Sequence, residues 1–141
     1  MVAVNVNQIM VTPLKRIQVA GGDVLHGMKC SDPGYDDFGE AYFSMVEVGA
    51  IKAWKRHLRM TLNFVVPLGT VFFAFIDGKG LTRTELAGDE RYVRLTVPPG
   101  IWFGFKGLGN KDSMVLNIAS VPHDPGEVER RPRADFDYVW K

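Results

Sequence analysis

"RMTLNFVVPLGTVFFAFIDGKG", residues 59 to 80, holds two runs dense in Val, Phe and Ile, each closed by a turn containing Gly. Both runs are too short for an ordinary helix, and their β-branched and aromatic content favours strands. "YFSMVEVG" (42–49), "YVRLTV" (92–97) and "SMVLNIASV" (113–121) repeat the pattern, with Gly and Pro clusters at short intervals between them. Such spacing predicts an antiparallel β-protein, a sandwich or a barrel. "PLGT" and "DGKG" read as hairpin connections, so the strand ending at Val66 is expected to pair with the one starting at Val71. "TVFFAFI" is apolar at every position but one, which predicts a strand covered on both faces. Helix signals are few: a single turn within residues 31–42, and another within 124–130 with Asp124 as its N-cap.

At 141 residues the chain suits one domain, 1–141, with a single core. Seventeen basic against sixteen acidic residues leave a formal charge of +1, which argues against nucleic acid or a membrane surface as partner. The basic cluster at 129–133 is interrupted by Pro132 and reads as a solvated tail. A single cysteine, Cys30, cannot form an internal disulfide, and no run is long and apolar enough for a membrane helix, so a cytoplasmic protein is expected. No Gly-rich phosphate loop opens a helix; "GFKGLG" (104–109) reads as a tight turn between strands.

Alternate residues of a strand face opposite ways. In "AIKAWKRHLRMTLNFVV" (50–66) one row is Trp54, Arg56, Leu58, Met60, Leu62, Phe64 and Val66, and the other is Lys55, His57, Arg59, Thr61 and Asn63. The polar row is either a solvated surface or the lining of a pocket. Asn117 bears on the choice, being the polar member of the row Val115, Asn117, Ala119, Val121. A buried amide needs partners. It is satisfied by backbone near a bulge, or it faces the same interior as Lys55 and His57.

"GAIKAWKRHLRM" (49–60), followed by "VPPGIWFGFKGLGNKDSMVLNIASVPHDPGEVE" (97–129), resembles the dTDP-4-dehydrorhamnose 3,5-epimerase family and is similar to the nucleotide-sugar 3,4-ketoisomerases. The resemblance spans roughly residues 20 to 130, with its proline-glycine turn, Gly-Phe pair and apolar strand in the same order. It implies an all-β cupin-type antiparallel barrel, a jelly-roll or double-stranded β-helix. It also implies proton transfer beside the ketone of a nucleotide-linked keto-deoxysugar without metal or other cofactor, and a homodimer. Lys55 stands where the epimerases carry their catalytic histidine, His57 matches the second histidine of the ketoisomerases, Phe103 replaces a histidine of the turn, and Asn117 replaces the epimerase tyrosine.

Proton abstraction next to a ketone needs a base near neutral pKa and a group to stabilise the enolate oxygen. His57 suits the first role, Lys55 the second, with Asn117 orienting the substrate. Lys52 and Arg59 are candidates for the diphosphate, Asn63 for a further polar contact, and Trp102 or Phe103 for packing on sugar or base. A metal site is not expected, since His26, His57 and His123 are scattered and Lys55 occupies the first ligand slot. The rival reading is a cupin that keeps the scaffold without the chemistry, as a carbohydrate-binding or interaction module. The N-terminal "VAVNVNQIMV" (2–11) is expected to pair with the sheet edge of a second copy.

Overall fold

A computed structural model describes residues 3–140. Its strands are β1 (Met10–Pro13), β2 (Arg16–Ile17), β3 (Val24–Leu25), β4 (Glu40–Val46), β5 (Ile51–His57), β6 (Leu62–Leu68), β7 (Thr70–Ile76), β8 (Thr82–Gly88), β9 (Val93–Val97), β10 (Trp102–Leu108), β11 (Ser113–Ala119) and β12 (Val128–Arg130). They build two five-stranded sheets, in the orders β1-β9-β6-β11-β4 and β12-β5-β10-β7-β8, with a small β2-β3 hairpin beside them. Every pairing is antiparallel, as the short punctuated runs predict.

The core lies between the sheets. Leu62, Phe64 and Val66 of β6 meet Phe73 and Phe75 of β7 and Phe103 and Phe105 of β10, all withdrawn from solvent. Phe64 packs its ring 5.2 Å from Phe73 and 5.3 Å from Phe103, between centroids. Each such burial contributes about 1.5–3 kcal/mol. The other face of β7 is covered too: Ala74 and Ile76 join Trp54 and Trp102 in a second apolar cluster, roofed by Phe136, Tyr138 and Trp140 from the C-terminal segment.

Several expectations need correction. The "PLGT" link does not join neighbours: β6 pairs with β11 and β9, and β7 with β10 and β8. The turn at Gly69 (φ +87°) carries the chain from one sheet to the other, as two facing sheets require of some connections. "DGKG" does close the β7–β8 hairpin. "GFKGLG" is largely strand, its first five residues lying in β10. Its glycines mark close approach, since a Cβ on Gly104 would lie 2.6 Å from that of Ala53, and one on Gly107 would lie 2.5 Å from the Glu47 carbonyl. Residues 31–42 hold turns and the start of β4 but no helical turn, whereas Pro125–Glu127 form a 3-10 turn capped by Asp124, which accepts from the Gly126 N–H. Within "VAVNVNQIMV", Val6–Gln8 form a 3-10 turn and β1 pairs with its own chain's β9; Val2 lies outside the described residues. The basic cluster at 129–133 is not a free tail, because β12 pairs with β5.

Candidate active site

A cavity of about 520 Å³ opens between the sheets, walled on one side by β4 and β11 and on the other by β5, β10 and β12. On β5, Lys55 faces Phe103 of β10 in register, but the next pairs are Ala53 with Gly104 and Lys52 with Phe105. Trp54 is therefore an extra residue, and the alternation of faces inverts across it. As a result Lys52, Lys55 and His57 all line the cavity, while the Trp54 side chain lies outside among the C-terminal aromatics.

His57 lies at the end of β5, where the 3-10 turn at Pro125–Glu127 brings a carboxylate beside it. Glu127, 2% exposed, bonds the His57 Nδ1 through Oε1 and accepts the Arg59 and Met60 N–H groups on Oε2, both at 3.2 Å. Burial works against its ionised form, but the bond to His57 and the two amides outweigh it and hold the pKa below the ordinary carboxylate value. An ionised carboxylate only accepts, so Nδ1 is the donor of this bond, and in the neutral imidazole Nε2 is the nitrogen that carries the lone pair. The ring lies nearly parallel to Phe103, with centroids 6.0 Å apart. A histidine backed by a buried carboxylate and free at its second nitrogen is equipped to take a proton.

The facing wall presents Glu40, Tyr42 and Ser44 from β4, with Asn117 of β11 directly across from Tyr42. Asn117 thus shares the interior with Lys55 and His57, and among the described residues its amide has no hydrogen-bond partner. Desolvation and the Glu40 charge, partly offset by Arg130, push the Tyr42 phenol above its usual pKa, so it stays protonated at neutral pH.

Charge in the cavity is lopsided. Lys52, Lys55 and Arg130 line it against the single carboxylate of Glu40, whereas the Arg131 guanidinium lies on the outer side, 5.3 Å from the Trp102 ring centroid. Arg130 lies directly across from Lys55 on β12. Desolvation in the wall, then Arg130 and Lys52, hold the Lys55 pKa below its ordinary value. Lys52 donates from Nζ to the Met45 carbonyl at 2.7 Å.

Three candidates lie elsewhere. Arg59 follows the end of β5 and pairs on the surface with Asp124 at 3.1 Å. Asn63 is buried in β6, where it donates to the Gly34 carbonyl at 3.0 Å and accepts from Thr96. Trp102 faces the outer side of β10, with the Arg56 guanidinium 4.7 Å from its ring centroid. The polar row of 55–63 is broken at residues 58–61, which leave the strand. Conversely, Glu127, Tyr42 and Arg130 join the site without being candidates in the sequence. The Asp124-capped turn was the one local sign of Glu127, whose partner is 70 residues away.

Fold and cavity define a cupin-type barrel with an open, cation-lined interior. No protein-family model matches the sequence. The chain is 34% identical to a dTDP sugar isomerase from Desulfovibrio desulfuricans G20 whose crystal structure superposes with a TM-score of 0.90, covering 94% of this chain and 90% of that one. A dTDP-4-dehydrorhamnose 3,5-epimerase from Sulfolobus tokodaii shares the fold, with a TM-score of 0.82 at 19% identity over 99% of this chain and 86% of that one. Over 91 residues, 60% of this chain and 58% of the relative, it is 30% identical to the probable low-salt glycan biosynthesis epimerase Agl13 of Haloferax volcanii. The chain belongs to the family of that dTDP sugar isomerase, with a cupin-type fold that the dTDP-4-dehydrorhamnose 3,5-epimerase shares.

Proposed function

We propose that the protein epimerises or ketoisomerises a nucleotide-linked keto-deoxysugar without a metal. The observation that carries this reading is the His57–Glu127 pair, free at Nε2 and opening on a cavity rich in cations. Nε2 takes the proton from the carbon beside the ketone, and the buried Glu127 carboxylate stabilises the imidazolium that results. Lys55, two residues along the same face, meets the carbonyl oxygen as negative charge develops there. Tyr42, on the wall opposite His57 and still protonated, is the donor that returns a proton from the other side, and Asn117 orients the sugar between them. Lys52 and Arg130 offer the diphosphate a cationic mouth, and Phe103 gives the sugar an apolar floor.

Deuterium incorporation into dTDP-4-keto-6-deoxyglucose, incubated with the pure protein in heavy water, tests this reading. Wild-type protein is expected to exchange the proton beside the ketone, and His57→Asn to lose about 10²- to 10⁴-fold of that rate. Binding without exchange would instead favour the carbohydrate-binding module, a reading supported by Phe103 and Asn117 standing where the epimerases carry histidine and tyrosine.

A homodimer belongs to the same proposal. β4 ends its sheet, and Phe43 and Met45 on its outer side are 62% and 49% exposed, an apolar edge suited to a second copy about a two-fold axis. A monomer mass by light scattering at working concentration would remove it. Cytoplasmic residence is proposed on the single unpaired and exposed Cys30. No helix among the described residues is long and apolar enough to cross a membrane.

A further inference from the structure

We infer that Lys55 acts covalently: its amine condenses with the substrate ketone and holds it as a protonated imine while His57 moves the neighbouring proton. This rests on the keto-sugar reading above and assigns Lys55 a role beyond that of a nearby charge.

Two lysines reach the cavity, and they differ in freedom. The Lys52 ammonium is engaged with the Met45 carbonyl, whereas among the described residues the Lys55 amine has neither an acceptor nor a carboxylate partner. Arg130 stands across from Lys55 in the β12–β5 register, with Lys52 on the same face. Like charges set opposite each other in a sheet disfavour one another, which favours the unprotonated form of the lysine. Partial desolvation first, then Arg130 and Lys52, hold the Lys55 pKa below its ordinary value. The unprotonated amine is the form that attacks a carbonyl carbon. Groups to manage protons are in place: His57 two residues along the same face, and the Tyr42 phenol on the facing wall.

The steps balance without an oxidant or reductant. The Lys55 nitrogen lone pair forms a C–N bond as the carbonyl π pair moves to oxygen, which takes up a proton, while the nitrogen loses one to His57. The carbinolamine C–O bond then breaks as His57 hands that proton to the departing hydroxyl, water leaves, and the nitrogen lone pair forms C=N⁺, with His57 neutral again. His57 removes the proton from the adjacent carbon; that C–H pair becomes a C=C bond, and the C=N⁺ π pair returns to nitrogen. Reprotonation of the enamine and addition of water reverse the sequence, breaking the C–N bond and regenerating ketone and amine. The cation drawing electrons from the adjacent C–H bond is then covalently fixed at the reacting carbon, which an ammonium at hydrogen-bond distance cannot match.

Trapping tests this in the intact protein. Wild type is incubated with dTDP-4-keto-6-deoxyglucose and sodium cyanoborohydride, which reduces C=N⁺ to a stable secondary amine, then digested and mapped by mass spectrometry. In parallel, exchange in heavy water is read without reductant. The expected result is a reduced sugar-nucleotide adduct on Lys55, and an exchange rate at least about 10³-fold lower in Lys55→Arg, which keeps the charge but not the nucleophile. Wild-type exchange with no adduct, or with the adduct on Lys52, would overturn the imine while leaving the proposed function standing. Retention of exchange within tenfold in Lys55→Arg would do the same. Neither exchange nor adduct in wild type would overturn both.

Discussion

Glu127 and Asp77 are the two carboxylates most withdrawn from water, at 2% and 3% exposure, and their surroundings diverge in one respect. Asp77 spends both oxygens on backbone: Oδ1 accepts the N–H groups of Lys79 and Leu81, each at 3.0 Å, and Oδ2 accepts that of Val6 at 3.2 Å. It fastens the β7–β8 turn to the N-terminal 3-10 turn. Glu127 spends one oxygen on the backbone of Arg59 and Met60 and leaves the other to an imidazole that opens on the cavity. For both, burial opposes the charge and hydrogen bonds restore it, so both sit below the ordinary carboxylate pKa. A lowered pKa alone therefore does not separate the two. The partner does: amides cannot titrate, and a histidine can.

Substitutions can break this comparison. Glu127→Gln keeps an acceptor for Arg59 and Met60 but removes the charge behind His57, so turnover is expected to fall about 10²-fold with little change in KM, read from steady-state kinetics across pH. Equal losses in turnover and in ligand affinity would make Glu127 a fastener like Asp77. Asp77→Asn should do the reverse, costing about 1–3 kcal/mol of stability in urea melts as amide donors lose acceptors. Turnover per folded molecule should stay unchanged, and a collapse of activity without loss of stability would dissolve the distinction. The smallest effect is shared. Because the folded pKa of each is lowered, its stabilisation is fully present above the unfolded carboxylate value, 4.5 for Glu127 and 3.8 for Asp77, and is lost as pH falls through the folded one. Acid titration of the melting temperature should therefore be shallower in Glu127→Gln and in Asp77→Asn than in wild type.

Much of the barrel was legible because it is written locally. Alternating rows and Gly-Pro punctuation are short-range signals, and they marked the strands around Phe64, Phe73, Leu95 and Val115 as well as the capped turn at Asp124. That Lys55 and His57 share a face also follows from period two within one strand, while whether that face, or Asn117, points inward stayed open. What failed was non-local. The extra residue at Trp54 inverts the alternation, which brings Lys52 to the same side as Lys55 although the two are three apart. The departure of residues 58–61 from the strand ends the polar row, sending Arg59 to Asp124 and leaving Asn63 to the Gly34 loop and Thr96. Tyr42 joins the candidate site only through the β4–β11 register, and Glu127 and Arg130 only through contacts some 70 residues apart in sequence. No window of neighbouring residues carries that information.

β12 and the residues after it serve both sides of β5. Arg130 faces the cavity beside Lys55, and Phe136, Tyr138 and Trp140 surround Trp54 behind it, at 5.3 to 5.7 Å between ring centroids. During ribosomal synthesis the chain is made from its N-terminus, so a nascent chain that has reached the end of β11 holds the strands of the apolar core but lacks the partner of His57 and the outer cover of Trp54. The apolar scaffold is translated first, and the carboxylate behind His57 and the cover over Trp54 come last.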